Sequence, residues 1–183
     1  MEVFTMKRLN VALVGAGFMG KAHTVAYSNM PKFFWPAPAY PVLKTLCDID
    51  PKIAEDSCER FGYEKWCTDW HDVVNDPEID IVSICTPNTR KDAEAMAAAA
   101  AEAAKKGVIS MNAYQYRRVP ALVLAKKFID EGSIGKILNV RCTYLQSWSA
   151  DPSSPLSWRF QKEIAGAGTL GDIASHVIDI AQM

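Results

Sequence analysis

Over roughly the first 115 residues, short apolar runs closed by glycine, proline or aspartate alternate with longer mixed stretches, the pattern of strands separated by helices. Leu9 to Val14 reads L-N-V-A-L-V and ends directly in Gly15-Ala16-Gly17-Phe18-Met19-Gly20. A run apolar on both faces and stopped by glycine predicts a central parallel strand, with Met19 to Asn29 continuing as a helix. Met30 to Pro41 carries Pro31, Pro36, Pro38 and Pro41 around Phe33, Phe34 and Trp35, which predicts a long aromatic loop. A second strand follows over Val42–Cys47, then a helix over Lys52–Phe61 closed by Gly62, and a short third strand over Glu64–Thr68. Asp69 caps a helical turn to Asn75. Asp80–Cys85 is a fourth strand, and Arg90–Lys106 is an Ala-rich helix ended by Gly107. Val108–Asn112 reads as a fifth strand, Pro120–Glu131 as a helix stopped by Gly132, Ile137–Leu145 as a longer strand, and Leu170 onward as a last helix. The predicted fold is α/β: a doubly wound parallel sheet of right-handed βαβ units, followed by the start of an α+β second domain. The expected domains are 1–116 and 117–183.

Composition narrows the function without choosing it. The chain of 183 residues has 20 Lys+Arg against 21 Asp+Glu, a formal net charge of −1, and is 49% hydrophobic. A balanced charge argues against nucleic acid and against membrane surfaces, since both demand clustered positive charge. No apolar run reaches the ~18–20 residues that span a bilayer, and Met1–Arg8 lacks the apolar core of a secretory signal. The expected location is cytoplasmic. Cys47, Cys58, Cys67, Cys85 and Cys142 form no C-x-x-C pair, so reduced thiols are expected and no metal site.

The chemistry starts at Gly15-Ala16-Gly17-Phe18-Met19-Gly20, which fits G-x-G-x-x-G. The pattern gains meaning from following a buried strand and opening a helix, as in a Rossmann βαβ unit. Gly15 permits the tight turn, Gly17 removes a Cβ that would block a pyrophosphate, and Gly20 lets the helix approach the strand. The helix N-terminus, with Phe18 and Met19 in its first turn, offers unpaired N–H groups to an anion. Asp48 closes the second strand, where a carboxylate can accept hydrogen bonds from an adenosine ribose and repel a 2′-phosphate. That favours NAD, with NADP as the alternative. Asp50 competes for this role, but Asp before Pro more often starts a turn. Thr86-Pro87-Asn88 ends the fourth strand on the same edge, either lining the cofactor groove or making a plain turn.

The segments VALVGAGFMGKAHTVAY, CDIDPKIA, DIVSICTPN, NAYQYRRVPA, EGSIGKILNVR and GAGTLGDIASHVIDIA together resemble the glucose-fructose oxidoreductase/inositol dehydrogenase (Gfo/Idh/MocA) family. They follow the family's order and cover nearly the whole chain. The resemblance implies NAD(P)-dependent hydride transfer at a sugar or polyol (inositol-like) hydroxyl carbon, with homo-oligomers as the family's common assembly. It implies His176 as the base that takes the hydroxyl proton, a task suited to an imidazole near neutral pH. Asp172, one turn earlier, would bind the hydroxyl or orient the base. Tyr116 and Arg117 fall in a segment near the substrate cleft, with an interdomain contact as the other reading. Trp148, Trp158 and Arg159 read either as sugar-stacking walls or as a small core. His23 is a packing residue or a ligand, and His71 a surface residue.

The chain also departs from the family. Members carry a strand ending in Glu-Lys-Pro whose lysine contacts substrate and cofactor, and this sequence contains no Glu-Lys-Pro. Lys91–Gly107 resembles the helix that follows that motif, so the chain passes from Asn88 straight into it, omitting on the order of 30 residues. Val108–Asn112 would then pair beside Asp80–Cys85, and only the opening of the second domain would be present. A non-catalytic dinucleotide-binding sensor, or degenerate member, is therefore the alternative function. A methyltransferase shares a glycine loop and an acid after the second strand, but leaves the Asp172/His176 helix unexplained.

Overall fold

A computed structural model describes residues 6–87 and 90–183. They form two compact units, Met1–Thr86 and Pro87–Met183.

In the first unit the predicted order is realised: β1 (Arg8–Val14), α1 (Phe18–Phe33), β2 (Tyr40–Cys47), α2 (Pro51–Phe61), β3 (Lys65–Cys67), α3 (His71–Val74) and β4 (Ile81–Ile84). The sheet is parallel in the order β3-β2-β1-β4. The chain thus winds one way from β1 through β3 and then reverses to β4, which leaves a crevice beyond the carboxyl ends of β1 and β4. Along β1–β2 the register shifts between Val11, opposite Leu43, and Ala12, opposite Thr45. Lys44 is the extra residue, a bulge, and its ammonium reaches Glu64 (2.9 Å) and Glu78 (3.2 Å). Because of that bulge Leu43 and Leu46, three apart, pack in one cluster with Leu13, Ala16, Ala54, Cys58 and Tyr63. Ala12, Cys47 and Val73 form a second cluster, with Val14, Cys67 and Ile79 packed against it. Complete burial of Leu13 and Leu46 contributes roughly 1.5–3 kcal/mol each.

Local chemistry fixes the helix ends. Asp50 Oδ1 accepts from the N–H of Lys52 (2.9 Å) and Ile53 (3.3 Å), Pro51 occupies the first turn, and Gly62 closes α2 at φ +76°. Asp50 therefore acts as the turn-initiating cap. Contrary to the sequence pattern, α1 does not stop at Asn29 but runs through Pro31 to Phe33. Proline removes one N–H and crowds one carbonyl. This close to the helix end the loss is a single bond, and Phe34 N–H still closes onto Met30 carbonyl at 3.0 Å.

The second unit contains α4 (Arg90–Ala104), a 3₁₀ turn (Gln115–Arg118), α5 (Pro120–Asp130), a second 3₁₀ turn (Trp158–Phe160), α6 (Lys162–Ala165), a π turn (Leu170–Ala174) and α7 (Ser175–Ala181). Neither predicted strand forms there: 108–112 and 137–145 carry no ladder, and β4 stays at the edge of its sheet. A strand exists only with a neighbour to complete its hydrogen bonds. Among the described residues of α4 the surface is Ala-rich and almost wholly exposed, so no apolar stripe anchors 108–112 as a strand. Ile109 is 91% exposed and Leu138 86%. The expected α+β second domain is thus, in this unit, helices and extended chain.

Candidate functional site

The glycine loop lies at the reversal of the sheet and is held on three sides. Gly15 N–H donates to Cys47 carbonyl (2.8 Å), and Cys85 N–H donates to Val14 carbonyl (2.8 Å). Gly15 stands at φ +96°, and a Cβ there would lie 2.9 Å from the Cys85 carbonyl. A Cβ on Gly20 would come within 2.0 Å of the Gly15 carbonyl oxygen. Only glycine fits either place. Gly17 differs, because a Cβ there meets nothing within 4 Å. The protein does not use that space, so it is room for something else. Gly17 is the N-cap residue of α1, no side chain caps it, and the first turn has no acidic residue. The positive end of the helix is therefore uncompensated at an open cradle, the arrangement that suits a diphosphate. Phe18, 80% exposed, and Met19 stand beside it.

Asp48 reaches back to this loop. Its Oδ2 accepts from Ala16 N–H (2.8 Å) and its Oδ1 from Asp50 N–H (3.1 Å). The carboxylate that the sequence marks for ribose also braces the glycine turn, and each oxygen keeps a lone pair for a ligand hydroxyl. Thr86 follows β4, with its backbone N 3.1 Å from a Cβ built on Gly15. Pro87 opens the second unit, and Asn88 lies outside the described residues. His23 is a packing residue: its Nδ1 lies 2.8 Å from Ser83 Oγ, tying α1 to β4. His71 is exposed, pairs with Asp69 (2.6 Å) and stacks on Trp70. Among the described residues no cluster of three or more His, Cys, Asp or Glu could hold a metal ion.

In the second unit the structure sorts the candidate residues into three groups. His176 lies among Tyr114, Tyr116 and Tyr144, with ring centroids at 5.5, 5.2 and 6.3 Å. Its Nδ1 is buried with no hydrogen-bond partner among the described residues. Tyr116 and Tyr144 share a hydroxyl–hydroxyl bond of 2.5 Å, which pushes the Tyr116 pKa up. Gln146 donates to Tyr144 Oη (2.9 Å), and Trp148 Nε1 donates to Gln146 Oε1 (2.6 Å).

The second group is Asp172 with Arg159, Nε to Oδ2 at 3.1 Å. The Arg159 guanidinium also lies over Trp158, at 4.6 Å, and Trp148, at 5.9 Å. Trp148 stacks on Phe160 and lines a cavity of about 280 Å³ with Asp151, Pro155 and Leu156. Asp172 sits in the π turn rather than in regular α-helix, so the simple i, i+4 relation to His176 does not govern its direction. No side-chain hydrogen bond joins the two among the described residues. The third group is Arg117 with Asp179, bonded through Nε (2.8 Å) and Nη2 (2.6 Å).

Tyr114, Tyr144, Gln146 and Asp179 were not anticipated. Two signals in the sequence pointed to them. Tyr144, Gln146 and Trp148 alternate along extended chain, and Asp179 lies three residues after His176 on one helix face.

Comparison with known proteins gives this geometry a lineage. Residues 9–110 match the model of the oxidoreductase family with an NAD-binding Rossmann fold, and 122–183 match the GFO/IDH/MocA C-terminal domain. Levoglucosan dehydrogenase of Pseudarthrobacter phenanthrenivorans is 52% identical over 201 positions, covering 97% of this chain and 51% of the relative. The NAD(+)-dependent scyllo-inositol 2-dehydrogenase of Bacillus subtilis is 30% identical, covering 96% of this chain and 53% of its own. Among solved structures, levoglucosan dehydrogenase in complex with NADH and levoglucosan superposes with a TM-score of 0.89 at 48% identity, covering 96% of this chain and 54% of that one. This chain spans about half the length of the curated relatives it matches. With 97% of its 183 residues placed along 201 positions, about 23 positions of that comparison have no residue here. No helix among the described residues is long and apolar enough to cross a membrane. The fold is Rossmann-like α/β, and the chain belongs to the GFO/IDH/MocA oxidoreductase family.

Proposed function

We infer that this chain binds NAD and serves a dehydrogenase that moves a hydride between the hydroxyl-bearing carbon of a sugar or polyol and the nicotinamide. The observation that carries this reading is the open cradle at Gly17, facing an uncapped helix N-terminus, in a chain 52% identical to a levoglucosan dehydrogenase. NAD supplies the hydride acceptor when bound. The loop from Gly15 to Gly20 holds the diphosphate through backbone N–H groups, with Phe18, Met19 and Thr86 beside it. Asp48 accepts the ribose hydroxyls and disfavours a 2′-phosphate. His176 takes the substrate hydroxyl proton at Nε2. Asp172, Arg159, Trp158 and Tyr116 form the polar and aromatic surroundings of the sugar.

The test is to mix the purified chain with NAD⁺ and a panel of levoglucosan, inositols and pyranoses, and to follow nicotinamide reduction. Reduction with at least one member is expected, and His176→Asn should lower turnover by roughly 10²–10⁴. A second reading, a dinucleotide-binding protein without turnover, is favoured by the absent Glu-Lys-Pro. It predicts binding of NAD with no reduction by any substrate. Failure to bind NAD contradicts both.

A further inference from the structure

We propose that Arg117 and Asp179 are a positioning pair that fixes the orientation of the His176 imidazole and tunes its affinity for a proton. The proposal rests on the assignment of His176 as the base, but its test does not require turnover.

Asp179 is 6% exposed, and it is the buried residue among the described positions of 87–183. A carboxylate removed from water persists only with a matched partner. Arg117 supplies one in the strongest geometry open to it, two parallel bonds to two oxygens. This fork spans 62 residues of sequence and fastens the 3₁₀ turn Gln115–Arg118 to α7. Tyr116, adjacent to Arg117 in that turn, packs T-shaped against His176 and holds Tyr144 through its hydroxyl. Fixing the turn therefore fixes the aromatic walls around the imidazole.

A second line comes from His176 itself. A working histidine is ordinarily oriented by a hydrogen bond at the ring nitrogen that does no chemistry. Here Nδ1 is buried without such a bond, and Asp172 is engaged by Arg159. Orientation is left to packing, and the packing is held by the fork. The groups facing the imidazole are Tyr114, Tyr116 and Tyr144, with Asp179 one turn further along the same helix and Arg117 neutralising it. The Arg117 guanidinium holds the Asp179 carboxyl below the usual carboxylate range, with the nearby imidazole adding to the effect. The two charges of the pair thus act on the imidazole with opposite sign.

The experiment is an NMR pH titration of the three histidines in the cofactor-free chain, with His176 assigned by the loss of its signal in His176→Gln. In Arg117→Met the unmatched Asp179 charge should move the His176 titration to higher pH. In Asp179→Asn the unmatched guanidinium should move it to lower pH. His23 and His71 should titrate as in the wild type in both. Shifts of the same sign, or no shift in folded variants, would overturn the proposal. If either variant unfolds the second unit, Arg117→Lys decides. It keeps the charge but not the fork, so the wild-type titration should persist while the Tyr116–His176 ring contact weakens. An unchanged ring contact, or a displaced titration, would contradict the assigned role. None of these outcomes depends on NAD binding, so failure here is separable from failure of the functional reading.

Discussion

Gly15, Gly17 and Gly20 are equivalent in the sequence motif but not in their surroundings. At Gly15 the backbone conformation demands glycine, at Gly20 a facing carbonyl does, and at Gly17 nothing in the protein does. Gly20→Ala should therefore destabilise the first unit, by about 1–3 kcal/mol if the helix and loop can move apart, read as a lower urea midpoint. Cysteine reactivity separates residues just as sharply. Cys47 is buried beside Cys67, and burial, with the Cys67 contact second, pushes its thiol up to about 12. Cys142 is exposed. Alkylation at mild alkaline pH followed by peptide mass mapping should label Cys142 readily and leave Cys47 unmodified until the chain unfolds. Early labelling of Cys47 would mean that the β2–β3 edge opens more freely than its packing implies.

Elements set by their own residues were legible in the sequence. α2 shows this: Asp50 caps it, Pro51 starts it and Gly62 stops it, all within thirteen positions. Asp50→Ala should cost about 1 kcal/mol of stability in chemical denaturation, with α2 fraying at its start. β1 and the glycine loop were legible for the same reason, since a buried strand and its turn leave a strong local pattern. Elements that depend on a distant partner were not. The 108–112 and 137–145 segments have strand-like composition, but no neighbouring strand completes their ladders. Pro31 misled in the other direction, because a helix in its last turn can forgo one bond. The site divides likewise. Local spacing indicated the cradle and the family resemblance singled out His176, whereas the Asp48–Ala16 bond crosses 32 residues and the Arg117–Asp179 fork 62. Only folding reveals partners at such separations.

Apolar burial in the molecule is uneven. Every fully buried apolar side chain among the described residues lies between Val11 and Val73. Amide exchange should accordingly be slowest in β1 and β2 and fast throughout 87–183, since protection follows buried contacts. Acid should widen this difference. Asp179 has a folded pKa below its ordinary value, so its contribution is complete above about pH 4 and is lost as pH falls through the depressed folded value. Amide exchange recorded down an acid series should show 115–118 and α7 loosening while the β1–β2 core holds, and simultaneous loss of both would contradict that ordering. Whether the cradle holds a diphosphate is decided by calorimetric titration of NAD⁺ into the wild-type chain and Gly17→Ala. The wild type should bind, the variant should lose at least about tenfold in affinity, and thermal midpoints should match, because the added methyl meets no protein atom within 4 Å. Equal binding by the two proteins, or no binding by the wild type, would contradict diphosphate binding at the cradle.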